Sequence, residues 1–136
     1  MFTPMQARGG AIPHTVKHDR RTGIAELAFH GPITRHDLRA STAECAGLQR
    51  KAGVRRFLID ANGWEVTASF FDLVALPEEQ YVDEGFDPLS RIAVILPTSP
   101  KAVEAAQFYR TACANRGWNV QTFAGREAAL EWLMRT

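Results

Sequence analysis

Apolar positions along this chain alternate between two patterns: short extended runs, and longer stretches with a spacing of three to four. Residues 14–18 and 23–30 read as extended segments flanking the polar stretch 19–23, whose Gly23 suits a positive φ, and together they predict a β-hairpin. Thr34 and Asp37 then stand three apart, the spacing at which each side chain satisfies an orphan amide at a helix start. Leu38, Ser41, Cys45 and Leu48 follow at helical spacing until Gly53 closes the helix as a left-handed cap. Phe57, Leu58 and Ile59 form an unbroken apolar run ending in the turn-forming residues 60–63, which predicts a central parallel strand that leaves the sheet through a turn.

Ser69 and Asp72 repeat the capping spacing, and Phe70, Leu73, Val74 and Leu76 lie on the apolar side of a second helix that Pro77 should break or restart. Residues 92–96 form another buried strand. Ser99 and Pro100 open a helix ended by Gly117, residues 118–123 make the last strand, and residues 126–134 carry Ala128, Ala129, Trp132 and Leu133 on one face of a terminal helix. The order is β-β-α-β-α-β-α-β-α. After the opening hairpin, strands alternate with helices, which calls for parallel strands joined by crossovers. The fold class is therefore α/β: a single-domain sandwich of a mixed, mostly parallel sheet with helices, spanning residues 14–136. Residues 1–13, with a Gly-Gly pair and two prolines but no periodicity, read as a flexible arm.

Composition narrows the picture without naming a function. With 136 residues, 46% of them hydrophobic, the chain is long enough to bury a core without disulfides or a structural metal. No run is apolar enough to span a membrane and no leader pattern opens the chain, so a cytoplasmic protein is expected. A net charge of +1 argues against nucleic-acid binding. The charge is nonetheless segregated: residues 1–56 carry a net +6, residues 57–90 a net −8 with no Lys or Arg, and the remainder +3. Such an acidic block reads as a solvated face or as a dock for a basic partner.

The alternation, the strand ending at Asp60 with a helix starting nine residues later, and the closing F-x5-A-x2-W-L pattern from Phe123 to Leu133 resemble the SpoIIAA-like family. This is a branch of the STAS fold, also likened to CRAL-TRIO lipid-exchange domains. The resemblance covers about residues 14–136 and implies a regulatory or ligand-binding module without catalysis of its own. In anti-sigma factor antagonists of this kind, a serine at the helix start after the central strand is phosphorylated by a partner kinase. Ser69 falls at that position and is the candidate phosphoacceptor. Ala68 replaces the aspartate of the motif, and Phe70 and Phe71 replace its small residues, so Ser69 also reads simply as a helix cap.

Candidate chemistry is sparse. His14, His18, His30 and His36 cluster in the first quarter of the chain without a helical H-x-x-x-H or a placed carboxylate, so no metal site is expected. Cys45 and Cys113 sit at inward helical positions and read as small core residues. No nucleophile elbow and no phosphate-binding glycine loop appears, so neither an enzyme nor a cofactor is expected. The informative segment is 64–89, where Trp64, Phe70, Phe71, Tyr81 and Phe86 stand among carboxylates, interrupted by Pro77, Gly85 and Pro88. That is more apolar bulk than one helical face on a sheet needs. Either Phe70, Leu73 and Val74 are plain core, or the segment is a helical flap, hinged near residues 62–63 and 77, over an apolar pocket. On the second reading Trp64, Phe70, Phe71, Val74, Tyr81 and Phe86 contact a small hydrophobic ligand or a protein partner. The carboxylates would oppose an anionic lipid surface, so membrane association is at most peripheral. The open edge of the hairpin offers a route to a homodimer.

Overall fold

The computed structural model describes residues 13–135. The hairpin is formed by β1 (His14–Asp19) and β2 (Ile24–Ile33), antiparallel to each other. β3 (Arg56–Val66), β4 (Arg91–Ile95) and β5 (Asn119–Phe123) follow, each parallel to the strand before it. The sheet order is β1-β2-β3-β4-β5. The arm expected over residues 1–13 lies outside the described residues, apart from Pro13, whose carbonyl accepts the His30 N–H at 2.8 Å.

Helix α1 (Arg35–Ala52) joins β2 to β3. Its start is the predicted capping box: the Asp37 N–H donates to Thr34 Oγ1 at 3.2 Å, and the Thr34 N–H donates to Asp37 Oδ2 at 2.9 Å. Gly53 ends it at φ +68°, a conformation that disfavours any side chain. Between β3 and β4 the chain makes α2 (Phe70–Ala75), a π-helical turn (Leu76–Gln80) and α3 (Tyr81–Asp83). Pro77 lacks an N–H to give to the α-helical ladder, and the helix passes it by widening for one turn rather than ending. Helix α4 (Pro100–Asn115) leads to β5, and α5 (Arg126–Met134) closes the chain.

A sheet wound in simple sequential order by crossovers of one hand places every crossover helix on the same face. Strand alternation divides the side chains accordingly. Ala25, Leu27, Phe29, Phe57, Ala61, Ile92, Val94 and Val120 form the main core with α1, the 70–83 helical region and α4. Ile24, Leu58, Ala93 and Ile95 face the other way and are covered by Ala129 and Leu133 of α5.

One element departs from the sequence reading. Residues 60–63 do not turn out of the sheet: β3 continues to Val66, paired with β2 through a bulge between the Ala28 and His30 registers. Asp60 Oδ1 accepts the Asn62 N–H at 3.0 Å, so the turn-forming residues shape the bulge instead. At Gly63 a Cβ would stand 3.0 Å from the Phe29 carbonyl, which is why glycine sits where the two backbones approach. Residues 62–63 are therefore held in the sheet and are not a hinge.

Candidate functional site

The segment from Thr67 to Ser90 lies across the helical face of the sheet and is tied down at both ends. At its start the Thr67 hydroxyl donates to the Ile33 carbonyl at 2.6 Å, and Ser69 and Asp72 form a second reciprocal capping box, with both bonds at 3.1 Å. At its end Gln49 of α1 accepts the Asp87 N–H at 2.7 Å and donates to Ser90 Oγ and the Val54 carbonyl, both at 2.8 Å. In the middle, the Trp118 indole donates to the Pro77 carbonyl of the π-helical turn at 3.2 Å.

Beneath this flap is an apolar cavity of about 70 Å³. Its floor is the sheet, from Leu27 and Phe29 through Phe57, Ala61 and Trp64 to Ile92 and Val94. Leu38, Ser41, Thr42 and Cys45 of α1 form one wall, Ala106 and Tyr109 of α4 the other, and Leu73, Leu76, Tyr81 and Phe86 the roof. Close-packed interiors hold few voids larger than a water. At ~24 cal/mol per Å³, a void of this size costs the empty fold about 1.7 kcal/mol.

Two polar features stand in this apolar lining. The Tyr81 and Tyr109 hydroxyls bond each other at 2.5 Å, and both are fully buried. Burial is the first cause holding both phenols well above their ordinary range, reinforced for each by the neighbouring Cys113. Burial also pushes the Cys45 and Cys113 thiols up to about 12, which leaves them protonated and poor nucleophiles. The second feature is Trp64, only 7% exposed, whose indole Nε1–H is buried with no acceptor among the described residues. An unmet buried donor of this kind costs roughly 1–3 kcal/mol.

The six residues expected to make contact divide evenly. Trp64, Tyr81 and Phe86 line the cavity, whereas Phe70, Phe71 and Val74 do not. Phe70 stacks on Phe108 of α4 with ring centroids 4.5 Å apart, and Phe71 is 85% exposed. The short helix α2 turns Leu73 inward, and Leu76 follows at the start of the π-helical turn, so the adjacent phenylalanines roll outward. Tyr109 and the α1 wall supply contacts that the aromatic count of residues 64–89 missed, although Tyr109 does lie on the inward stripe with Ala102, Ala105, Ala106 and Cys113.

Nor is the acidic block a free face. Asp72 lies 3.9 Å from Arg35, Glu84 3.4 Å from Arg50 and Asp87 2.7 Å from Arg55, while Glu78 pairs with Arg116. Four of the flap's six carboxylates are thus paired with Arg35 and Arg50 of α1, Arg55 of the turn after it and Arg116 at the end of α4. Ser69 is exposed, and its Oγ is the acceptor in the capping box. Among the described residues no three His, Cys, Asp or Glu side chains are grouped to hold a metal, and no helix is long and apolar enough to cross a membrane.

A second, wider and more polar cleft of about 450 Å³ opens at the C-terminal ends of β3–β5, where parallel sheets commonly hold ligands. Its charged groups are already engaged. Arg126 makes a two-pronged contact with Glu26 of β2, and Asp60 accepts from its own bulge. The apolar cavity, with its unmet donor, is the stronger candidate site.

This sheet order, with crossover helices on one face and a closing helix on the other, defines a small α/β domain of a recognisable class. No family model matches the sequence, and no curated protein matches it either. Solved structures do match. The anti-sigma factor antagonist SpoIIAA in its unphosphorylated form superposes with a TM-score of 0.57 at 15% identity, over 88% of this chain and 96% of that one. The Bacillus cell fate determinant SpoIIAA in its phosphorylated form gives 0.57 at 15% identity, over 88% and 97%. An uncharacterised DUF3478-family protein with a SpoIIAA-like fold from Shewanella loihica gives 0.56 at 18% identity, over 88% and 91%. The chain has the SpoIIAA-like fold.

Proposed function

We propose that this chain is a non-enzymatic binding module that takes a small hydrophobic ligand beneath the 64–89 helical region. The observation that carries this reading is the apolar cavity of about 70 Å³ under a roof of two short helices joined by a π-helical turn. A cavity of ~150 Å³ holds benzene, so anything larger than a few heavy atoms requires the roof to yield. A π-helical turn at a proline is a place where a helix gives. The protonated, buried thiols and phenols around the cavity fit binding better than catalysis.

Native mass spectrometry of the untagged chain, followed by solvent extraction, tests the reading. An apolar molecule is expected to leave on denaturation. Benzene added to the stripped protein should move the methyl resonances of Leu27, Leu38 and Leu73 and leave those of Leu133, beyond the sheet, in place. A native mass equal to that of the bare chain, together with cavity methyls indifferent to benzene, would refute it.

A second reading makes Ser69 a phosphoacceptor in a protein-interaction module. It is supported by the exposure of Ser69 at a helix start after the central strand, and by the likeness to SpoIIAA solved with and without phosphate. It ranks second because Ser69 Oγ is already engaged in the capping box and a phosphate there would sit against the Asp72 carboxylate. Under this reading Ser69→Asp keeps the thermal stability but changes the proteins retained in a pull-down, and an unchanged set would sink it.

A further inference from the structure

We infer that the occupant of the cavity is a neutral, largely apolar molecule with a single hydrogen-bond acceptor, such as a ketone, ester or ether oxygen, that takes the Trp64 indole N–H. The inference rests on the proposed reading of the cavity as a ligand site and adds what that ligand is. No Asp, Glu, Lys, Arg or His lines the cavity, so a carboxylate or an ammonium inside would be buried without a counter-charge. A fatty acid or an amine would have to shed its charge to enter. One tyrosine hydroxyl donates to the other at 2.5 Å and the Ser41 hydroxyl donates to the Leu38 carbonyl at 3.0 Å, which leaves the second tyrosine O–H and the Thr42 hydroxyl as the other donors of the lining. Trp64 carries the one side-chain N–H in the lining, and that N–H is buried without an acceptor among the described residues. Native interiors rarely leave such a donor unmet. A ligand oxygen reaching it would satisfy the donor and fill the void in one step.

NMR titration of the full chain with cyclopentanone, and with methylenecyclopentane, which keeps the shape but replaces the carbonyl oxygen by CH2, tests this. The Trp64 indole N–H resonance, assigned by its loss in Trp64→Phe, should move downfield with the ketone and scarcely with the hydrocarbon. Because the ketone gives up more hydration on entry, the decisive quantity is the ratio of the two Kd values in wild type against Trp64→Phe. In the variant the ketone should weaken relative to the hydrocarbon by about five- to tenfold, the usual loss for one hydrogen bond. If both probes bind but the ratio is unchanged and the indole does not shift, the acceptor assignment is overturned while the cavity stands as an apolar site. If neither probe moves the Leu27 and Leu73 methyls, the cavity reading itself falls. Cyclopentanecarboxylate binding as tightly as the ketone would overturn the requirement for neutrality. Should Trp64→Phe fail to fold, the indole shift in the wild-type chain decides the question.

Discussion

Alkaline pH should unfold this chain abruptly, because four buried groups, three of them lining the cavity and the fourth, Cys113, beside its tyrosines, ionise only when the core opens. The chain has two tyrosines, Tyr81 and Tyr109, and two cysteines, Cys45 and Cys113, and all four are buried. Burial holds the phenols well above their ordinary range and pushes the thiols up to about 12. In the unfolded chain they titrate near their ordinary values, roughly 8.5 for a thiol and about 10 for a phenol. For an acid whose folded pKa is raised, stability is intact below the unfolded pKa and is lost as pH climbs toward the folded one, at about 1.4 kcal/mol per group per pH unit. The thiols begin to act above about pH 8.5 and the phenols join near pH 10, so the loss amounts to about 4–5 kcal/mol at pH 10 and about 9–10 kcal/mol at pH 11. That approaches the whole stability of a typical domain, about 5–15 kcal/mol. Tyrosinate absorbance and far-ultraviolet circular dichroism, followed together against pH, provide the assay. Both tyrosines should ionise in one step coincident with loss of helix and sheet signal. Smooth phenol titration near pH 10 with a native circular dichroism spectrum would refute the reasoning. Tyr81 comes from the roof and Tyr109 from a wall, so early ionisation would mean that the flap already stands open.

Two further outcomes follow from residues away from the cavity. Phe71→Ser should change the free energy of urea unfolding by less than about 0.5 kcal/mol, since the side chain is 85% exposed, and should leave benzene binding unchanged; a loss above about 1.5 kcal/mol would show that Phe71 packs against something. Glu26→Gln removes the two-pronged contact that ties α5 to β2 and, with Arg126 half-exposed, should cost roughly 0.5–1 kcal/mol at neutral pH. The hydrogen bond from Arg126 lowers the Glu26 pKa, so its contribution is present above the ordinary glutamate range, about 4.3–4.5, and is lost as pH falls through the folded value. The gap between wild type and variant should therefore close in acid, and a gap that persists after Glu26 has been protonated would rule out the ion pair as its cause.

The parts of the fold that are local in sequence were legible in it. Thr34 with Asp37, Ser69 with Asp72, and Gly53 act over one helical turn, and each does in the structure what its spacing predicts. The run at Phe57 marks a central strand because two faces must be apolar at once. The continuation of β3 to Val66 was not legible, because Asp60, Asn62 and Gly63 carry turn chemistry and only the pairing with β2 decides between a turn and a bulge. Pro77 signals an interruption without saying which kind: a helix capped by Ser69, in a segment that Gln49 ties down at Asp87, absorbs the missing N–H by widening. Counting charge in blocks cannot show such pairing. Residues 57–90 are acidic as a string, yet Arg35, Arg50, Arg55 and Arg116 come from distant parts of the chain to meet them.

What holds the flap shut follows from the relative strengths of these contacts. Its four outer ion pairs join partly exposed groups, and such pairs are worth about 0–1 kcal/mol each, less in salt. Inside, Leu73, Leu76 and Tyr81 are almost wholly buried, and exposing each of the two leucines alone costs roughly 1.5–3 kcal/mol. The inner contacts dominate, so raising ionic strength should loosen the flap only slightly, whereas Leu76→Ala should loosen it strongly. An opening that exposes all three side chains leaves the open state rarely populated, so ligand exchange would be slow even where affinity is modest. Hydrogen exchange of the 70–83 amides provides the measurement: protection that falls steeply in high salt but is indifferent to Leu76→Ala would reverse the order of these contributions.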